Sequence, residues 1–137
     1  MIVVDTGPFV ALFNPKDKMH KRCVTILKKI EEPLYTTIPV LTETFHLLYP
    51  GSRSASNLNE FIKRGGVNIW YMDNEALTRT CELMHKYKDH PMDFADASII
   101  VALEKLQTSK VFTIDHNDFS SYRIKKGHRS YSVKIIR

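Results

Sequence analysis

Two short apolar runs of this 137-residue chain each end in an aspartate, and this placement constrains the fold more than any other feature. Residues 2–4 are followed by Asp5, and residues 111–114 are followed by Asp115. A short continuous apolar run is the pattern of a strand buried on both faces, as in a parallel sheet. Because the carboxyl ends of parallel strands meet at one edge, both aspartates are expected to emerge there.

The rest of the chain alternates between helical and strand patterns. The spacing of apolar residues predicts helices over residues 8–13, 19–30, 39–48, 52–62, 73–86 and 91–106, and further strands over residues 34–37, 67–71 and 131–136. This alternation predicts an α/β three-layer sandwich around a mainly parallel central sheet. No repeat, low-complexity tract or linker interrupts it, so residues 1–137 are expected to form a single domain.

The composition is that of a basic protein with an ordinary core. Hydrophobic residues make up 43% of the chain, and 20 Lys and Arg stand against 15 Asp and Glu. If several acids share one pocket, the remaining surface is more basic than the net charge of +5 suggests, which suits a polyanionic partner. Charge alone does not separate this interpretation from Lys-rich helices that are merely solvated.

The chain carries no pattern of secretion or of paired cysteines. No basic leader precedes the first apolar run, and Asp5 interrupts it, so a secretory signal or membrane span is not expected and the protein is placed in the cytoplasm. Cys23 and Cys81 lack the spacing of a zinc or redox motif and are expected to be reduced thiols buried in helices.

Three further acids are expected near the same edge. Glu43 opens a helical stretch, and Asp93 and Asp96 stand three residues apart at a helix start, where they share one face. Each also has a simpler interpretation as a helix cap or first-turn acid. Carboxylates gathered within a few Å repel by about 4 kcal/mol per pair at an effective dielectric near 20, so they must protonate or bind a cation. An oxygen-only pocket selects Mg²⁺ or Mn²⁺.

Other chemistries fit the residue spacing less well. Gly65-Gly66 is not followed by the Lys and Ser or Thr of a phosphate-binding loop, and the six histidines show no ligand spacing. Thr6 and Ser98 lack a histidine partner in a nucleophile motif. A receiver-like regulatory domain would need two adjacent early acids and a Lys at the end of the last strand, and neither is in place.

Four segments in order resemble PIN-domain ribonucleases, particularly the VapC-type toxins of prokaryotic toxin-antitoxin pairs. The segments are MIVVDTGPFVALF, LTETFHLL, PMDFADASIIVALE and VFTIDHNDFSSYR, and together they span nearly the whole chain. The combination of MDFADAS with T-x-D-x-x-D-F about twenty residues later is specific, whereas the N-terminal aspartate alone is not.

The resemblance implies a Mg²⁺- or Mn²⁺-dependent endoribonuclease, hydrolysing RNA phosphodiester bonds, with an acidic quartet at its centre. The quartet would be Asp5, Glu43, Asp96 and Asp115. Asp5 and Asp96 would hold the metal, and the other two would complete the site directly or through water. Asp93 either joins as a fifth carboxylate or only caps its helix. The hydroxyls of Thr6 and Thr113 would assist, while Asp118 would order the turn before Phe119.

The resemblance also implies partners. Such toxins are usually homodimers, inhibited by an antitoxin protein whose C-terminal segment enters the acidic groove. The apolar helices between residues 34 and 62 are the candidate dimer surface. Candidate RNA-backbone contacts are Arg53, Lys63, Arg64, Arg123, Lys125 and Lys126. The arginine that often follows the family's glutamate is missing after Glu43. An RNA-processing nuclease and a non-catalytic RNA- or protein-binding PIN module remain alternatives.

Overall fold

The computed structural model describes residues 1–137, which form seven helices and seven strands. In chain order these are β1 (Ile2–Val4), α1 (Thr6–Phe13), α2 (His20–Lys29), β2 (Leu34–Thr37), α3 (Ile38–Leu48), α4 (Arg53–Lys63), β3 (Asn68–Trp70), α5 (Asn74–Lys86), α6 (Phe94–Leu106), β4 (Lys110–Phe112), α7 (His116–Ser121), β5 (Arg123–Lys126), β6 (Arg129–Ser132) and β7 (Lys134–Ile135).

Five strands form a central sheet in the order β3-β2-β1-β4-β7, and every pairing in it is parallel. In the middle of the sheet, Val3 is aligned with Tyr35 of β2 on one side and with Val111 of β4 on the other. All of β1 is buried, which follows because helices flank the sheet on both faces. The expected α/β sandwich with a mainly parallel sheet is confirmed.

Helix α6 passes through the core, and its apolar content explains its position. Every residue of α6 from Ala95 to Leu103 is buried except Asp96. Burying a large aliphatic side chain such as Ile99 or Ile100 contributes about 1.5–3 kcal/mol, so this helix anchors the core against β1 and β2. It starts at Phe94, after the Asp93 cap, and not at Pro91 as expected.

The largest departure from the expected elements lies in the C-terminal segment. The strand expected over residues 131–136 is two strands, because the chain leaves the β5–β6 hairpin after Ser132 and joins the central sheet as β7. The short helix α7 and the strand β5 were not expected. Strand β5 has a single buried apolar residue, Ile124, which is too little to give a strand pattern.

Two smaller expectations were wrong. Glu43 does not open its helix, because α3 already begins at Ile38 with Pro39 in its first turn, so Glu43 lies in the second turn. Cys23 is buried as expected, but Cys81 is exposed on the outer face of α5. No helix is both long enough and apolar enough to cross a membrane.

Candidate acidic site at the carboxyl edge of the sheet

Asp5 lies at the carboxyl end of β1 and caps α1. Its Oδ1 accepts a hydrogen bond from the Thr6 backbone N–H at 2.7 Å, and its Oδ2 accepts one from the Thr113 hydroxyl at 2.8 Å. The side chain is only 8% exposed. Burial raises the pKa of Asp5 to about 6, helped by the charges of Glu43 and Asp115 and opposed by the two hydrogen bonds. Both oxygens are therefore fixed in direction, while the charge lacks a cationic partner.

Asp96 is held on the first turn of α6 in a capping box. The Asp96 backbone N–H donates to Asp93 Oδ1 at 2.8 Å, and the Asp96 carboxylate accepts from the Asp93 backbone N–H at 3.4 Å. Burial raises the pKa of Asp96 to about 7, with further contributions from the charges of Asp93 and Asp5. The charge of Asp5 at the end of β1 thus acts on the Asp96 carboxyl at the start of α6.

Tyr122 makes the second hydrogen bond to the Asp96 carboxylate, and the sequence analysis did not single this residue out. Its hydroxyl donates to Asp96 Oδ2 at 3.3 Å, and its buried ring packs edge-on against Tyr87 and Phe119. Burial and the Asp96 charge raise the pKa of Tyr122, so the phenol stays protonated and remains a donor. A Tyr near the end of the T-x-D-x-x-D-F segment is visible in the sequence, but only the fold places it against Asp96.

The remaining acids are closer to solvent. Asp115 is exposed and caps α7 by accepting from the Asp118 backbone N–H at 3.2 Å, so Asp118 belongs to the turn that leads to Phe119. The Asp115 backbone N–H donates to the Thr113 hydroxyl, which links it to Asp5 through one residue. Glu43 is half-buried and makes no hydrogen bond. It lines a groove of about 670 Å³ with Asp93.

Three helices, α1, α6 and α7, begin at this edge, each with an aspartate at its N-cap. The positive ends of the helix dipoles offset part of the acidic charge and favour an incoming anion such as a phosphate group. Gly7 allows α1 to start close to the end of β4, because a Cβ there would lie 2.5 Å from Ile114 Cγ1. This close packing brings Asp5 and Asp115 to the same part of the edge.

The donor set fits a hard divalent cation that keeps much of its water. All side chains at the edge offer oxygen, and the Thr6 hydroxyl is buried without a hydrogen-bond partner. No three His, Cys, Asp or Glu side chains stand close enough to enclose a metal ion by themselves. Mg²⁺ binds proteins through one or two carboxylates plus water, so this set of oxygens suits an ion that the protein encloses only in part.

Comparisons with known proteins agree with this architecture. The PIN domain family model matches residues 2–125. The fold and the family match define the class: this chain belongs to the PIN domain family. A search of curated proteins found no match.

Among solved structures, the chain resembles the toxin VapC20 of Mycobacterium tuberculosis, described as cleaving the sarcin-ricin loop. The TM-score is 0.79 at 22% identity, covering 86% of this chain and 92% of that one. A toxin-antitoxin complex from Klebsiella pneumoniae gives 0.70 at 15% identity, covering 88% and 92%. FitAcB from Neisseria gonorrhoeae gives 0.62 at 19% identity, covering 87% and 91%. The resemblance to VapC-type PIN proteins is thereby confirmed for the family and the fold.

Proposed function

We propose that this protein is a Mg²⁺- or Mn²⁺-dependent endoribonuclease that acts as the toxin of a type II toxin-antitoxin pair in the cytoplasm. The observation that carries the proposal is the pair Asp5, which is buried, and Asp96, which is half-buried; both are held by directed hydrogen bonds and raised in pKa without a cationic side chain nearby. Such a pair destabilises the metal-free fold, and a divalent cation would relieve that cost.

In this proposal Asp5 and Asp96 hold the metal, and the surrounding residues fix those two carboxylates. Thr113 and the Thr6 backbone orient Asp5, Tyr122 orients Asp96, and the Thr6 hydroxyl is free to bind water or substrate. The chemistry supplied by a divalent ion in this position is activation of water for in-line attack and neutralisation of charge on the phosphodiester. The helix N-termini at the edge bind the phosphate group and set its direction.

The toxin role is supported by the solved structures that this chain resembles, which include the toxin VapC20 and a toxin-antitoxin complex. Helix α3 offers a surface for a second copy or for an antitoxin. Ile38 is 47% exposed, Leu47 58% and Tyr49, just after the helix, 77%. Ile38 stands at the start of the helix and Leu47 and Tyr49 at its end, so a partner would meet them as two separate apolar contacts. Ile38 also lines the groove that holds Glu43, so an antitoxin segment bound there would cover the acidic edge.

The alternative nuclease and scaffold roles differ from the toxin role in what they predict. A non-catalytic module would have no reason to keep buried carboxylates at a cost in stability. An RNA-processing nuclease would cleave in the same way, but its expression would not stop growth.

The test is cleavage of a mixed RNA pool by the purified chain with Mg²⁺, Mn²⁺ or EDTA. Asp96→Asn is the test variant. Asp73→Asn is the matched control, because Asp73 also caps a helix by accepting from a backbone N–H, at α5. We expect metal-dependent cleavage by the wild type and the control, and none by Asp96→Asn. Equal cleavage by Asp96→Asn would refute the mechanism. Growth arrest on expression, abolished by the same variant, would separate a toxin from a processing enzyme.

A further inference from the structure

We propose that the β5–β6 hairpin is a docking arm for the sugar-phosphate backbone of single-stranded RNA. The proposal rests on the proposed function, since it names the surface that holds the substrate while the acidic edge cleaves it. The family model ends at residue 125, within β5, so most of the hairpin lies outside the part of the chain that matches the family. The arm is therefore argued from this chain's own residues.

Charge is divided unevenly along the chain. Residues 119–137 contain six of the 20 Lys and Arg and no Asp or Glu, whereas residues 1–118 contain the other 14 together with all 15 acids. The formal net charge of +5 is thus +6 in the last 19 residues and −1 in the first 118. A basic segment concentrated on a weakly acidic body is the electrostatic signature of a surface that binds a polyanion.

The hairpin places two cations where they repel each other. Lys126 and Arg129 are directly paired across the turn formed by Gly127 and His128. Like charges opposite each other on paired strands destabilise a hairpin. Neither residue takes part in any of the six salt bridges of the structure. A phosphate chain lying along the hairpin would remove this repulsion.

The hairpin is fixed to the body in a way that leaves its cations free. Ile124 is buried towards α6, and the Lys125 backbone N–H donates to Glu104 of that helix at 2.6 Å. Alternation along the strand places Arg123 and Lys125 on the outer face, and Lys126 with its partner Arg129 on the face of Ile124 towards the tip, and all four cations are exposed. Strand β6 is exposed along its whole length. The cations are therefore accessible on a rigid support.

The arm starts at the acidic edge. Tyr122, which donates to Asp96, directly precedes β5, and the Arg123 backbone N–H donates to the Tyr87 hydroxyl at 3.1 Å. Four residues of strand extend about 13 Å from that point at about 3.3 Å each. RNA held along the hairpin would thus enter the acidic edge at one end.

An aromatic side chain favours RNA over an acidic polypeptide as the occupant. Tyr131 is 43% exposed and lines, with Lys126, a cleft of about 330 Å³ between the hairpin and the end of α6. Cations that follow a backbone, combined with an aromatic ring on which a base can stack, are the usual means of binding single strands.

The experiment compares two triple variants with equal loss of charge in the full-length Asp96→Asn protein, which leaves the RNA uncut. The test triple is Lys125→Gln, Lys126→Gln and Arg129→Gln. The control triple is Lys16→Gln, Lys18→Gln and Lys21→Gln, three exposed cations that form no salt bridge and lie just before or in the first turn of α2. Binding of a fluorescein-labelled 20-nucleotide RNA is measured by anisotropy over a range of salt concentrations, with poly-glutamate as a second probe.

The test triple should bind RNA at least tenfold more weakly than the control, and its salt slope should fall by about 2, at about 0.7 per lost phosphate contact. Lys126→Glu, which places opposite charges across the turn, should keep the hairpin folded and also lose affinity. If wild type cleaves RNA but both triples bind alike, the arm is refuted and the nuclease stands. If the test triple loses binding to poly-glutamate but not to RNA, the RNA-binding role of the hairpin is refuted and an acidic protein is the better occupant. If wild type neither binds nor cleaves RNA, the proposed function itself fails.

Discussion

Asp5 and Asp96, the inner acids, differ from Asp93 and Asp115, the outer acids, in one property. Asp5, Asp93 and Asp115 all cap helices, and Asp96 shares the capping box of Asp93. The outer acids are exposed, and capping accounts for the hydrogen bonds that hold their side chains. Asp5 is buried and Asp96 is half-buried, and their pKa values are raised to about 6 and about 7.

In the proposed mechanism, this difference separates an aspartate that binds the metal directly from one that caps a helix. A cap needs only an oxygen near a backbone N–H, and it stabilises a helix best where its charge is solvated. Removing the same carboxylate from water costs more free energy than the capping hydrogen bond alone can offset. Burial with a raised pKa, and not position at a helix start, is therefore what points to a metal-binding role for Asp5 and Asp96.

The largest expected effect is on cleavage when an inner acid loses its charge. Asp5→Asn should lower metal-dependent RNA cleavage by more than the roughly 10–100-fold that is usual for residues behind a metal ligand. Asn still accepts from the Thr6 N–H, so α1 remains capped. Cleavage rates and far-UV circular dichroism, measured together, check this. Activity within threefold of wild type would remove Asp5 from the site.

The second effect is on stability without metal. The pKa values of both inner acids are higher in the folded protein than their ordinary value of 3.8, so ionisation opposes folding. Their effect on stability is absent below about pH 4, stability is lost progressively from pH 4 up to about pH 6 for Asp5 and pH 7 for Asp96, and the loss is constant above that. The shift at Asp5 corresponds to about 3 kcal/mol, and Asp96, being less buried, adds less than its shift implies.

Urea unfolding in EDTA at pH 4.5 and pH 8 checks this expectation. The difference in free energy of unfolding between the Asp5→Asn/Asp96→Asn double variant and wild type should shift by about 3 kcal/mol in favour of the variant from pH 4.5 to pH 8. Mg²⁺ should stabilise wild type at pH 8 and leave the double variant unchanged. Parallel pH dependences of the two proteins would contradict the account of the inner acids.

A smaller effect is expected from the hydroxyl that orients Asp96. Tyr122→Phe keeps the ring packing but removes the donor to Asp96 Oδ2, and should weaken Mn²⁺ affinity by about tenfold. Tyr87→Phe is the control, because its hydroxyl accepts from the Arg123 N–H and does not contact Asp96. Isothermal titration with Mn²⁺ distinguishes the two. Equal Mn²⁺ affinity in both variants would mean that the Tyr122 hydroxyl does not contribute to metal binding and that Tyr122 acts only through the packing of its ring.

The smallest effect is expected for an outer acid. Asp93→Asn keeps an oxygen for the Asp96 N–H, because Asn caps a helix nearly as well as Asp. Cleavage should therefore fall by less than about threefold, with stability within about 0.5 kcal/mol of wild type. The two variants are measured side by side. If Asp93→Asn loses as much cleavage activity as Asp96→Asn, Asp93 belongs to the site as a fifth carboxylate.

The sequence predicted the parallel sheet because its inner strands carry the simplest possible pattern. The run Ile2–Val4 is apolar throughout, so its burial and the emergence of Asp5 at its end follow directly. The C-terminal hairpin could not be predicted in this way, since Ile124 is the only buried residue of β5. The Gly127-His128 pair between basic residues was the available turn signal, as Gly127 adopts a positive φ of 62°.

The sequence predicted which acids lie at the carboxyl edge of the sheet, but not how they differ in burial; their roles in the site stay a prediction. Spacing indicated that Asp93 and Asp96 share a helix face, yet only the packing of Tyr122 and the core around α6 separates the shielded carboxylate from the exposed one. The prediction that Glu43 opens a helix was wrong, because α3 begins five residues earlier, at Ile38. Burial depends on contacts between distant segments, and local patterns do not contain it.

The most direct test of the central claim is an Mn²⁺ titration of five proteins: wild type, Asp5→Asn, Asp96→Asn, Asp93→Asn and Asp73→Asn. The account predicts binding in wild type and in the two cap variants, Asp93→Asn and Asp73→Asn, and its loss in Asp5→Asn and Asp96→Asn. Wild-type affinity in Asp5→Asn and Asp96→Asn would contradict the account, because the buried carboxylates would then have no role in holding the metal.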